Sequence, residues 1–401
     1  MTFLDDAMKI SNDLVALRRE LHAHPEIGLQ LPKTRERVLD ALSSLPLEVT
    51  VRDDDSSIVV VLRGADDSGA RSVLLRADMD ALPVRELTGV SYAFDGEVMH
   101  ACGHDLHVAM LVGAARVLCA RRHELAGDVV MLFQPGEEGY DGAKRMIAAG
   151  ALDASGVRAS AAYALHVMSS RFGSGVIATR PGPLMAAADV LRVVVRGAGG
   201  HASAPHYALD PITVAAEIVT SLQTMITRRF DAFDPVVLTV GYIRGGTLNN
   251  IIPDTAELQA AVRTFSVETQ RNIVARVTEL CTGIASAYGL TAEVEWETLY
   301  PATVNHPYEA DFVRSTAVQL FGNAKVVTMP TAIAGAEDFS RILQEVPGAM
   351  AFLGATAPDA DPATAAFNHS PLSVYDDSVL PLGAGLLAQL AADRLNSLRE
   401  R

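Results

Sequence analysis

Chemistry in this chain of 401 residues is concentrated in a few short segments: Asp78-Met79-Asp80, Met99-His100-Ala101-Cys102-Gly103-His104-Asp105-Leu106-His107, Gln134-Pro135-Gly136-Glu137-Glu138-Gly139, His166 and Asn368-His369-Ser370-Pro371. Thiolate, imidazole and carboxylate together suit zinc or a neighbouring first-row ion, whereas magnesium or calcium would take almost only oxygen. Cys102, His104, Glu138, His166 and His369, with Asp78 or Asp80 in support, are too many donors for one tetrahedral ion. They fit two ions about 3.5–4 Å apart. Taken singly, each has a bland reading, since a lone histidine usually makes a hydrogen bond and a lone buried cysteine packs like a small hydrophobe. Jointly they point to a binuclear metal site.

Glu137 and Glu138 divide naturally into a proton carrier and a metal ligand. Glu138 is read as the ligand and Glu137 as the general base. A water made acidic by the cations loses its proton to Glu137 as it attacks a carbonyl, and the same carboxyl protonates the departing nitrogen. That is amide hydrolysis without a covalent intermediate.

The elements that position these segments are legible as apolar, β-rich runs at Ser72 to Ala77, Asp128 to Phe133, Ala161 to Leu165 and Ala349 to Leu353, with helical patterns between several of them. Buried runs alternating with helices read as an α/β domain with a largely parallel sheet, and ligands in such sheets gather beyond the carboxyl ends of the strands. Each chemical segment follows one of these runs.

Between Asp189 and Glu297 the rhythm changes to strand Asp189–Arg196, helix Leu209–Met225, strand Val236–Ile243, strand Thr255–Phe265, helix Thr269–Tyr288 and strand Ala292–Glu297. This is the βαββαβ order of a ferredoxin-like unit. The expected organisation is therefore a discontinuous catalytic domain over 1–185 and 298–401, with a ferredoxin-like domain inserted over 186–297. Asp189–Arg196 and Val236–Ile243 include candidates for an exposed edge that pairs with a second copy.

A formal net charge of −15 repels phosphate backbones and anionic lipid, so nucleic acid and membrane are poor partners. The first residues lack the basic-then-apolar pattern of a signal peptide and no run is long enough to span a bilayer, so a cytoplasmic location is expected. Cys102, Cys119 and Cys281 cannot all pair, which gives a disulfide framework no support.

These residues resemble the co-catalytic di-metal peptidases and amidohydrolases, the group that includes aminoacylase, hippurate hydrolase and indole-acetyl amino acid hydrolase. The likeness begins at Leu21-His22-Ala23-His24-Pro25-Glu26, passes through Asp78 to Pro83 and the Met99 to Asp105 segment, and ends at Val379-Leu380-Pro381-Leu382-Gly383. It implies a mixed-sheet metallopeptidase-type catalytic domain that holds two divalent ions (Zn, Mn or Co) through Cys102, His104, Glu138, His166 and His369. It also implies that the inserted domain serves as lid and dimerisation element. That domain would supply His201 for the substrate carbonyl, and Asn250 and Arg263 for the substrate carboxylate. The implied substrates are N-acyl amino acids, and the implied assembly is a homodimer through the inserted domain. His22, His24, His100, His107 and His206 carry no ligand role in this reading, and Leu106, where many relatives have glycine, is expected to narrow the site.

A dipeptidase or carboxypeptidase acting on short peptides is the alternative, because the same site attacks any amide beside a free carboxylate. A thiol hydrolase using Cys102 is a weaker rival, since four further metal donors have no place in it. A binding protein without catalysis would have lost Glu137 or a ligand.

Overall fold

The computed structural model describes residues 2–65 and 71–399. The chain forms two compact units, one from Met1–Leu184, Val304–Thr331 and Asp338–Arg401, the other from Met185–Thr303 and Ala332–Glu337. Among the described residues, no helix is long and apolar enough to cross a membrane.

The larger unit is built on a mixed eight-stranded sheet, among the described residues, in the order Glu48–Val51, Ile58–Leu62, Asp128–Gln134, Ser72–Asp78, Ala161–Met168, Gly348–Gly354, Ile177–Thr179, Val326–Thr328. The four central strands run parallel. Every residue of those four strands is buried. That explains why they read as unbroken apolar runs, since a parallel sheet covered by helices on both faces leaves no solvent side to write an alternation. Leu106, Met110 and Leu118 of the His104–Ala120 helix and Ala384, Leu387 and Leu395 of the Leu380–Arg399 helix share one core with Val73, Leu75 and Val129. Arg76 is the exception inside its strand: a fully buried guanidinium among valine and leucine.

The smaller unit carries a four-stranded antiparallel sheet in the order Val237–Gly245, Thr255–Arg263, Ala188–Arg196, Thr291–Tyr300. Here the strands alternate, with Leu191, Val193 and Val195 of one and Ala256, Leu258, Ala260 and Val262 of the next packing under the helices Pro211–Arg229 and Val267–Ala287. Both helices begin where capping chemistry dictates. The Asp210 side chain accepts the Ile212 N–H with Pro211 in the first turn, and the Ser266 hydroxyl accepts the Thr269 N–H. Two details differ from expectation. Ala188–Arg196 is paired on both sides, so the free edges are Val237–Gly245 and Thr291–Tyr300; alternation reveals which face is buried but not the strand's place in the sheet. The unit also extends past 186–297, because its last strand continues to Tyr300 and Ala186 donates its N–H to the Ile333 and Gly335 carbonyls.

Candidate metal centre

The site of the larger unit lies where its central strands end. Ser72–Asp78 delivers Asp78 and then Asp80; Ala161–Met168 carries His166; Asp128–Gln134 leads into Glu137 and Glu138. The turn Cys102-Gly103-His104 opens the next helix. Gly103 caps it at φ +85°, and a Cβ there would fall 2.4 Å from Val167 Cγ2, so only glycine lets the turn pack this closely against the strand bearing His166. His369 arrives from the last loop at φ +73°, a conformation rare outside glycine, held by its N–H to the Ala101 carbonyl at 2.8 Å.

Cys102 stands at the middle. Its Sγ lies 3.4 Å from His166 Nε2 and 3.2 Å from His369 Nε2, and His369 Nε2 lies 3.0 Å from Glu138 Oε1. Two donor groups result, Cys102 with His104 and His166, and Cys102 with Glu138 and His369, each with its ligand atoms within 4.8 Å of one another. The thiol belongs to both.

Hydrogen bonds assign the ring nitrogens. His104 Nδ1 donates to the Asp80 carbonyl at 2.8 Å, and His166 Nδ1 donates to the Val167 carbonyl at 2.8 Å. Both rings therefore present a bare Nε2 to the site, the arrangement metal-binding histidines adopt. Among the described residues, His104 Nε2 is buried with no hydrogen-bond partner. His107 is different, although it stands near Asp78 and His104. Its Nδ1 donates to Asp78 Oδ1 at 2.5 Å and its Nε2 accepts the Val167 N–H at 2.8 Å, which leaves no lone pair for a metal.

The electrostatics call for cations. Burial, and then the carboxylates of Glu138, Glu137 and Asp78, push the Cys102 thiol well above its usual range. Burial raises Asp80 to about 6. Burial, and then His107, hold the His166 imidazole neutral, far below its ordinary pKa. A buried thiol among carboxylates is costly alone and becomes a strong ligand beside a divalent ion. Donor types, bare ring nitrogens and the unpartnered His104 Nε2 all fit metal.

Asp78 and Asp80 take supporting positions. Asp80 accepts the Glu137 N–H on Oδ1 at 2.8 Å and the Glu138 N–H on Oδ2 at 2.9 Å, which fixes the double-glutamate turn. Asp78 accepts from Arg76 Nη1 at 2.6 Å, and Arg76 donates in turn to Gln134 Oε1 and Asp338 Oδ1. Sequence reasoning missed Arg76, Gln134, Asp338 and the partners of His107; the charged residue within an otherwise apolar strand was the available signal. It also missed the buried ion-pair cluster in which Asp105 pairs with Arg18 at 2.8 Å and with His22 Nδ1 at 2.8 Å, while His22 Nε2 meets Glu86 at 3.1 Å. Burial alone would raise the Asp105 carboxyl, but Arg18 and His22 outweigh it and hold the group ionised. Leu106 does not narrow the site, because it points into the hydrophobic core from the first turn of its helix.

His201, Asn250 and Arg263 belong to the smaller unit. His201 pairs with Ile251 across two short strands, and the Ala202 N–H reaches the Asn250 carbonyl at 3.1 Å, so those two residues are neighbours. His201 Nδ1 accepts the Ser203 N–H at 3.1 Å, which places the ring proton on the exposed Nε2. Arg263 closes its strand with Nη1 on the Val262 carbonyl.

Comparison with known proteins gives the same picture. A thermostable carboxypeptidase of Saccharolobus solfataricus is 38% identical over 392 residues, covering 96% of each chain. An N-acetylcysteine deacetylase of Bacillus subtilis is 32% identical over 390 residues, covering 96% of this chain and 98% of the relative. Among solved structures, a dinuclear metal binding peptidase from Bacillus subtilis superposes with a TM-score of 0.83 at 29% identity, over 97% of this chain and 99% of that one. The model of peptidase family M20/M25/M40 matches residues 74–393, a span that takes in Cys102, the double glutamate and the last histidine. With that match and those relatives, this chain belongs to peptidase family M20/M25/M40 and is a metal-dependent hydrolase.

Proposed function

We propose that the protein hydrolyses the amide bond of small N-acyl amino acids with two divalent ions, zinc, manganese or cobalt, held by Cys102, His104, Glu138, His166 and His369. The observation that carries the reading is the sharing of Cys102 between two donor groups, with Glu137 buried beside them. When bound, the ions supply Lewis acidity that makes a water nucleophilic and polarises the scissile carbonyl. Glu137 accepts the water's proton and returns it to the leaving nitrogen. Asp80 keeps Glu137 and Glu138 in place by taking their backbone N–H groups. His201, with its proton on Nε2, donates to charge developing on the carbonyl oxygen, while Asn250 and Arg263 grip the substrate carboxylate. A homodimer through the smaller unit is supported by its free edge strand Val237–Gly245, where Val237, Tyr242 and Ile243 are exposed.

The deacetylase relative supports the acyl amino acid reading, and the carboxypeptidase relative supports a second one, removal of a C-terminal residue from short peptides. A thiol hydrolase is disfavoured because a nucleophilic cysteine needs a lowered pKa, and burial among carboxylates raises this one. The deciding experiment assays N-acetyl, N-benzoyl and indole-acetyl amino acids against dipeptides, each with zinc, manganese and cobalt. Turnover of the acyl amino acids above the dipeptides supports the first reading, and the reverse order replaces it with the second.

A further inference from the structure

The Ala161–Met168 strand outruns its neighbour. Its pairing with Ser72–Asp78 stops at Arg76 opposite Ala164, while on the other side Gly348–Gly354 stays in register to Met168, whose carbonyl then takes the Ala355 N–H. Backbone groups alternate sides along a strand, so the Val167 N–H, the Val167 carbonyl and the Ser169 N–H all face the side where no strand remains. The Val167 carbonyl already accepts from His166 Nδ1, but left alone the two N–H groups would be unsatisfied, at about 1–3 kcal/mol each.

Two side chains take the missing strand's place. His107 Nε2 accepts the Val167 N–H. Asn368 does the rest: its Nδ2 donates to the Val167 carbonyl at 3.0 Å and its Oδ1 accepts the Ser169 N–H at 3.0 Å. A primary amide is thereby set against Met168 as a peptide group of a parallel neighbour would be. The other Nδ2 hydrogen points to the Cys102 carbonyl at 3.2 Å, with Cys102 Sγ at 3.9 Å, and Oδ1 also accepts the Ser169 hydroxyl at 3.0 Å. Asn368 is 8% exposed.

Three segments meet at this one amide: the turn carrying Cys102, the strand carrying His166, and the loop whose next residue is His369. We infer that Asn368 is a positioning residue which sets the separation of Cys102, His166 and His369 and so the geometry of metal binding. The inference rests on the ligand assignment proposed above. It assigns Asn368 no contact with substrate.

Cobalt titration of the metal-free, full-length protein tests it, reading the thiolate-to-cobalt charge-transfer absorption, the d–d bands and the affinity. Wild type is expected to show the thiolate band and Cys102→Ser to lose it. Asn368→Ala should bind cobalt about 10- to 100-fold more weakly, with displaced bands, as outer-shell substitutions at metal sites do. Thermal unfolding of the metal-free variant separates a merely structural role, which would lower the midpoint and leave affinity and spectrum unchanged. If Asn368→Ala does not fold, Asn368→Asp, which keeps the shape and the Ser169 acceptor but removes both donors, carries the same readout. Unchanged cobalt affinity and bands in a folded variant overturn the inference. A wild-type spectrum without a thiolate band overturns the ligand assignment itself, a different result from the first.

Discussion

Cys102 Sγ and His369 Nε2 lie 3.2 Å apart although 267 residues separate them in sequence. Nothing in packing requires a buried thiol to meet a half-exposed imidazole from the last loop, whereas shared metal does. Exhaustive chelation is expected to abolish turnover, and zinc, manganese or cobalt to restore it. Full activity in protein shown by elemental analysis to be metal-free would end the metal mechanism.

Exchanging Glu137 for glutamine preserves shape and removes the base. Glu137→Gln should retain both ions while kcat falls about 10²- to 10⁴-fold. Glu138→Gln should instead lose metal. Metal content measured on both variants decides the assignment, and the opposite pattern would reverse the two roles.

Asp80 serves both glutamates through their backbones, one N–H on each oxygen. Asp80→Asn keeps one acceptor and turns an amide hydrogen toward the other N–H. A loss of about 10- to 100-fold in kcat or in metal affinity is expected. Wild-type kinetics in this variant would show that the glutamate turn holds itself.

His201 and Arg263 should fail in different ways. His201→Ala is expected to lower kcat and spare metal content, because its donor acts on charge present in the transition state. Arg263→Ala should chiefly raise KM, since the carboxylate it grips is present throughout. Mixing His201→Ala with Glu137→Gln protein tests sharing between subunits. Partial recovery means that one chain's His201 serves the other's metals; none after confirmed subunit exchange confines it to its own chain.

On the strand that carries His166, Tyr163 donates to the Glu309 carboxylate at 2.5 Å, and Arg394 Nη2 meets Glu309 Oε1 at 2.7 Å, all buried. Arg394→Met leaves Glu309 with an uncompensated charge and should cost about 3–5 kcal/mol in denaturant unfolding. Adding Glu309→Leu should recover most of that loss. A single variant as stable as wild type would mean that the pair contributes nothing.

Much of this architecture is legible in the sequence because burial writes itself into residue type. The unbroken run Val73-Leu74-Leu75 could only be a strand covered on both faces, and the alternation in Ala188–Arg196 a strand covered on one. Periodicity says nothing about neighbours, which is why that second strand was expected at an edge and lies inside the sheet. The cluster around Cys102 was readable for a related reason, since thiol, imidazole and carboxylate rarely follow buried strands without cause. Asn368 and His107 were not readable in the same way. Their work is to replace a strand that ends early, and where a strand ends relative to its neighbour is fixed by tertiary pairing.

The larger unit takes Cys102, His104, Glu138 and His166 from before the smaller unit and His369 from after it. A ribosome therefore emits four of the five proposed ligands, then the whole of Met185–Thr303, before the fifth appears. The central strand Gly348–Gly354 is also made after the smaller unit, so until then the nascent chain lacks two of the eight described strands of its sheet. The antiparallel unit between them has its own core and can close first. On the proposed ligand set, the donor group of Cys102, Glu138 and His369 is therefore complete only after the smaller unit has been made.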